Sequence, residues 1–164
     1  MTGTSMGILN MEERRRQSGG TAEEKLSELT RRIISSAMEV HTGLGPGLLE
    51  AAYEECLCHA LARGGLQFRR QVAVPIAFQG IKLDCGYRSD IIVEELLLLE
   101  LKAVDALLPI HEAQLLSYLK LTGLSVGLLI NFNVEVLKEG IRRRVLNSGS
   151  KLFNSVSSAS SVVR

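Results

Sequence analysis

The sequence predicts an α/β fold, a mixed β-sheet flanked by helices, and three observations carry that expectation. Two stretches near the N-terminus repeat apolar residues at three- and four-residue steps. The period then changes to two, and residues 86–102 (GYRSDIIVEELLLLELK) are almost wholly apolar between Ile91 and Leu101. A further helical stretch leads into a continuous apolar run at 126–130, the composition of an interior strand.

The totals bound what such a fold can do. A chain of 164 residues, 46% of them hydrophobic, builds one domain with a proper core. A formal net charge of +1 supplies no global basic field for nucleic acid, so any phosphate binding must rest on a local patch or a metal. Cys56, Cys58 and Cys85 are odd in number and lack a second pair, which argues for reduced cysteines packed as small apolar groups. No stretch reaches the roughly 18 apolar residues of a membrane span, and the N-terminus lacks a signal-peptide core; a cytoplasmic protein is expected.

Residues 1–20 read as a flexible leader carrying Arg14, Arg15 and Arg16, and 147–164 as a Ser-rich flexible tail; the domain is expected over 21–146. Thr21 with Glu23 and Glu24 marks a helix start, and Leu26, Leu29, Ile33, Ala37 and Val40 form its apolar stripe. The run TGLGPG at 42–47 stops it. A second helix is expected over 48–63, with Leu49, Ala52, Tyr53, Cys56, Leu57, Ala60 and Leu61 inward and His59 as an isolated structural or exposed residue. Val72, Val74 and Ile76 then alternate with Gln71, Ala73 and Pro75 as a strand at or near a sheet edge. Gln79-Gly80 is a turn, 81–85 a short strand and 86–102 a hairpin. A third helix over 110–121 places Gln114 and Tyr118 on one side. The strand at 126–130 is expected to run parallel to its neighbour, because a helix precedes it. A short turn or helix at 134–139 and a basic strand at 141–146 complete the order.

The hairpin carries the chemistry. Charged side chains at the ends of so apolar a pair are costly unless paired or bound to a metal. If its loop is Glu94-Glu95-Leu96, then Asp90 opposes Glu100 and Arg88 opposes Lys102, with all four on one face. A two-residue loop at Glu94-Glu95 would split them. Opposed carboxylates repel, so one holds a proton unless a cation lies between them. Two carboxylates plus waters suit Mg²⁺, and Lys102 beside that ion would orient a water or neutralise charge on a phosphate. The alternative is a structural ion-pair cluster, Arg88 with Asp90 and Glu100 with Lys102.

The segment GLLEAAY at 47–53 resembles the signature of the GxxExxY proteins, with Gly47, Glu50 and Tyr53 in the signature places. Asp90 with Glu100-Leu101-Lys102 resembles the active-site pattern of the PD-(D/E)XK nuclease superfamily, to which that family is assigned. Residues 101–123 and 126–143 also look like the family's body, and the similarity spans about 26–146. No proline precedes Asp90, a departure from the superfamily's naming pattern. The resemblance implies a restriction-endonuclease-like core and a metal-dependent nuclease acting on nucleic acid, DNA before RNA, with Mg²⁺ or Mn²⁺ as cofactor. It implies Asp90 and Glu100 as metal ligands, Glu50 as a further acidic ligand, Lys102 as catalytic lysine and Gln114 as a polar residue of the site. Tyr53, Arg88 and Tyr118 would support them. A non-catalytic module of the same fold in a DNA repair or defence complex is the second expectation: only 4% of residues are aromatic and none is tryptophan for base stacking. The apolar stripes leave room for a homo-oligomer.

Overall fold

Thr21 starts the first helix by a reciprocal cap: its hydroxyl accepts from the Glu24 N–H (3.2 Å) while the Glu24 carboxylate accepts from the Thr21 N–H (2.7 Å). The computed structural model describes residues 20–84 and 86–146. All of the expected leader but Gly20, the expected tail and Cys85 therefore lie outside the described residues. Helix α1 (Ala22–Leu44) buries Leu29, Ile33, Ala37 and Val40, the stripe read from the sequence. It ends within the expected stop at 42–47, where Gly45 takes a φ of 67°, a conformation suited to glycine.

Helix α2 (Glu50–Arg63) buries Tyr53, Leu57, Ala60 and Leu61 as expected, and His59 is exposed. Leu49 departs from the expected stripe: it is the residue before the first turn and stays 81% exposed. Glu54 and Cys58 are buried instead, widening the covered face. The Tyr53 ring stacks on Phe132 at 4.6 Å, and its hydroxyl donates to the Gly45 carbonyl (2.7 Å) and accepts from the Leu48 N–H (3.1 Å). Tyr53 thus ties the glycine-rich loop to the core. Tyr53→Phe is expected to cost about 1–3 kcal/mol in urea unfolding, because two backbone groups lose their partner; an unchanged midpoint would show that water replaces the hydroxyl.

The main sheet has five strands in the order β1–β4–β5–β6–β7: β1 (Phe68–Ala73), β4 (Arg88–Val93), β5 (Leu97–Lys102), β6 (Val126–Asn131) and β7 (Ile141–Val145). Only β5 and β6 are parallel, as the intervening helix α3 (Pro109–Thr122) leads one to expect. The edge strand expected to continue through Ile76 ends at Ala73. Pro75 has no N–H for the ladder, and the chain leaves the sheet to form a separate hairpin of β2 (Ile76–Phe78) and β3 (Ile81–Leu83). A 3₁₀ turn (Leu137–Gly140) precedes β7.

Alternation along the strands divides the core in two. Ile91, Val93, Leu97, Leu99, Leu101, Leu128 and Ile130 pack with α1 and α2, whereas Ile92, Leu98 and Leu129 pack with Leu115, Tyr118 and Leu119 of α3. Gly127 lets α3 approach: a Cβ there would lie 2.7 Å from Leu115 Cδ1 and 3.3 Å from Leu119 Cδ1. Both leucines are fully buried, so Gly127→Ala is expected to destabilise by about 1–3 kcal/mol, read from the denaturant midpoint. Among the described residues, no helix is long and apolar enough to cross a membrane.

Candidate active site

The β4–β5 hairpin turns through Glu94, Glu95 and Leu96. Its register pairs Val93 with Leu97, Ile92 with Leu98 and Ile91 with Leu99, which is the three-residue loop and not the two-residue one. The loop dispenses with glycine: Glu94 and Glu95 adopt φ of 52° and 54°. Backbone and side chain of Glu94 bond Gln67 (2.9 and 2.8 Å), and Glu95 takes a two-point contact from Arg69 (2.6 and 2.7 Å).

Continuing that register brings Asp90 level with Glu100, and there the ladder ends. The Asp90 carboxylate takes the Leu101 N–H itself, at 2.7 Å, in place of a backbone partner. Glu100 is 2% exposed; its Oε1 accepts from Lys102 Nζ at 3.0 Å, and its Oε2 is buried with no hydrogen-bond partner. Glu50, the first residue of α2, comes in from the helix side, where the Ala103 N–H and the Lys102 ammonium act on it. On the far side of Lys102 the chain is held by Asn131. Its buried amide accepts from the Val104 N–H (3.0 Å) and donates to the Val104 carbonyl (2.8 Å), while Phe132 N–H donates to the Lys102 carbonyl (2.8 Å).

Charge in this cluster is out of balance. Burial raises the Glu100 pKa to about 7, and the Asp90 charge adds to it against the pull of Lys102. Burial likewise raises Asp90, with Glu54 adding and the Leu101 N–H and Lys102 opposing. Glu50 is raised by burial and by Asp90 and Glu54. Lys102 is disfavoured by burial, yet Glu100, Glu50 and Asp90 together hold its ammonium above the ordinary range. One ammonium therefore serves several carboxylates, and a buried carboxylate oxygen stays unpaired.

An all-oxygen set of this kind fits a hard divalent cation, which would neutralise the carboxylates and occupy the unpaired Glu100 oxygen. Among the described residues, no group of three or more His, Cys, Asp or Glu side chains stands together as a ready metal site. The three-carboxylate set expected of Asp90, Glu100 and Glu50 is thus not assembled. Asp90 and Glu100 are the two whose strands bring them level.

The remaining expected residues are spread around this centre. Arg88 does not pair with Asp90; its guanidinium donates to the Gln71 carbonyl at 3.0 Å. Of the ion-pair alternative, only Glu100 with Lys102 is present. Gln114 donates to the Tyr118 hydroxyl (3.1 Å), and the Tyr118 ring meets Tyr87, just before β4, edge-on at 6.4 Å. Their contacts lie with one another and not with the carboxylates.

Two residues beside the centre were not assigned to it from the sequence. Glu54 is buried on α2, bonded to Arg70 (3.0 Å) and Gln71 (2.8 Å) of β1. Its position one turn after Glu50 was a usable signal. Gln71 stands opposite Asp90 between the pairs Arg70–Ile91 and Val72–Ser89, and nothing in its neighbourhood of sequence marks it.

Residues 27–144 match the family model described as the PD-(D/E)XK nuclease superfamily. No curated protein and no solved structure matches the chain.

Proposed function

The chain belongs to the PD-(D/E)XK nuclease superfamily, and from that premise we propose that it is a divalent-metal-dependent nuclease hydrolysing phosphodiester bonds, in DNA first. The family signature read at Gly47, Glu50 and Tyr53 suggests the GxxExxY branch. The observation that carries the proposal is the unpaired, buried Glu100 Oε2 beside Asp90 and Lys102. A buried carboxylate oxygen without a partner is destabilising as it stands and is relieved by a cation.

In this reading Asp90 and Glu100 hold Mg²⁺ or Mn²⁺, which when bound polarises the scissile phosphate and lowers the pKa of a water. The Leu101 N–H keeps one Asp90 oxygen engaged and so sets the direction of the other. Lys102, held by Glu100, is charged at neutral pH and neutralises the charge that builds on the phosphate oxygens. Glu50 adds negative charge that keeps Lys102 protonated. Gln114, Tyr118 and Arg88 flank the centre and would meet the substrate beyond the reacting phosphate.

The test is a cleavage assay of the purified chain on supercoiled plasmid and on single-stranded DNA and RNA, with Mg²⁺, Mn²⁺ or chelator. Metal-dependent cleavage is expected. Cleavage that survives chelation, or none on any substrate, would overturn the proposal. A second reading, a non-catalytic binding module in a DNA repair or defence complex, is supported by the near-neutral charge and by the scarcity of aromatic side chains for base stacking. Titration calorimetry separates the two, because the module predicts no heat from Mg²⁺ or Mn²⁺.

A further inference from the structure

Phe68, Arg70 and Val72 should share one face of β1 by strand alternation. Phe68 packs in the core under α1 and α2, and Arg70 pairs with Glu54 and Glu55 of α2, yet Val72 packs on the α3 side. The alternation breaks at Gln71, whose φ of 48° is left-handed although it is not glycine. A non-glycine residue held so inside a strand is strained, and such strain persists only where surrounding contacts impose it. Those contacts are visible. The Gln71 amide donates to Glu54 Oε2 at 2.8 Å and its carbonyl accepts from Arg88 at 3.0 Å, while the residue itself stands opposite Asp90 in the β1–β4 register. Glu54 is itself fixed by Arg70 (3.0 Å), which Glu55 holds from the other side (2.7 Å).

We propose that Gln71 is a positioning residue for the metal-binding Asp90: its amide anchors the stretch of β1 that stands opposite Asp90 to the Glu54–Arg70 pair on α2. One Asp90 oxygen is then held by the Leu101 N–H, and the strand that flanks Asp90 is held by Gln71, which together fix where the free oxygen stands for a cation. The kinetic part of this inference rests on the nuclease reading. The metal-affinity part does not.

The test compares two variants of the full chain. Gln71→Met removes the amide and keeps the strained backbone; Gln71→Gly removes the amide and relieves it. Mn²⁺ affinity by titration calorimetry, melting temperature and single-turnover cleavage at saturating Mn²⁺ are measured for each. Positioning predicts that both variants lose Mn²⁺ affinity about tenfold, in line with losses on removing partners of metal ligands, while their melting temperatures diverge. Cleavage is expected to fall alongside affinity. A purely structural role predicts that affinity follows melting temperature, so Gln71→Gly binding Mn²⁺ as tightly as wild type overturns the inference. Wild type that binds Mn²⁺ but cleaves nothing removes the nuclease reading and leaves the affinity comparison standing. Wild type that binds no Mn²⁺ overturns the inference outright.

Discussion

Lys102→Ala is expected to slow single-turnover cleavage by about 10²–10³-fold at saturating metal, the scale of losing one charge-stabilising group from a buried reaction centre. The same loss or more is expected of Asp90→Asn. That substitution keeps an oxygen to accept the Leu101 N–H, so the β4–β5 junction is preserved while the charge that holds the metal is removed. The two variants therefore separate chemistry from folding. Both should keep the wild-type far-ultraviolet dichroism spectrum, and neither should regain activity at higher Mg²⁺ to the wild-type rate. Wild-type cleavage by Asp90→Asn would remove Asp90 from the site and with it the reading of the hairpin.

The second large effect is on pH. The Glu100 carboxyl titrates near 4.5 in an unstructured chain and at about 7 in the fold, where burial and the Asp90 charge favour the proton. Between those values the folded state holds more protons than the unfolded one. Stability of the metal-free protein therefore falls as pH rises from about 4.5 to 7, by up to about 1.4 kcal/mol per pH unit from this group. Glu100→Gln, which cannot ionise, should flatten that slope. Metal binding needs the carboxylate, so Mn²⁺ affinity should drop about tenfold for each pH unit below 7, with roughly one proton released per ion bound. Calorimetry in two buffers of different ionisation enthalpy reads that proton directly. Affinity independent of pH between 5.5 and 7 would exclude Glu100 as a ligand.

The hairpin shows how far inference from residues alone could reach. Its register could be narrowed by counting, because placing Asp90 and Glu100 on one face requires the loop Glu94-Glu95-Leu96 or a bulge, and that loop is the one observed. The stripe of α1, its Thr21 cap and the parallel strand after α3 were equally legible, since each depends on the spacing of a few neighbours. The edge strand was read too far, through Val74 and Pro75 into Ile76, which begins the separate hairpin β2–β3. Pro75 signals that pairing fails there but not where the chain goes next. Arg88 was placed with Asp90 by face alone, and the position of the Gln71 carbonyl redirected it.

What remained hidden is of one kind. The Glu54–Gln71–Asp90 connection joins a helix, an edge strand and a central strand, and exists only once α2 lies against β1. The unpaired oxygen of Glu100 and its raised pKa depend on burial, which no window of sequence contains. Periodicity reports short-range geometry, so it was enough for the elements, the hairpin register and the side on which Asp90, Glu100 and Lys102 stand. Desolvation and contacts between distant segments arise from packing, and packing alone made of those three residues a buried charge cluster with an unpaired carboxylate oxygen.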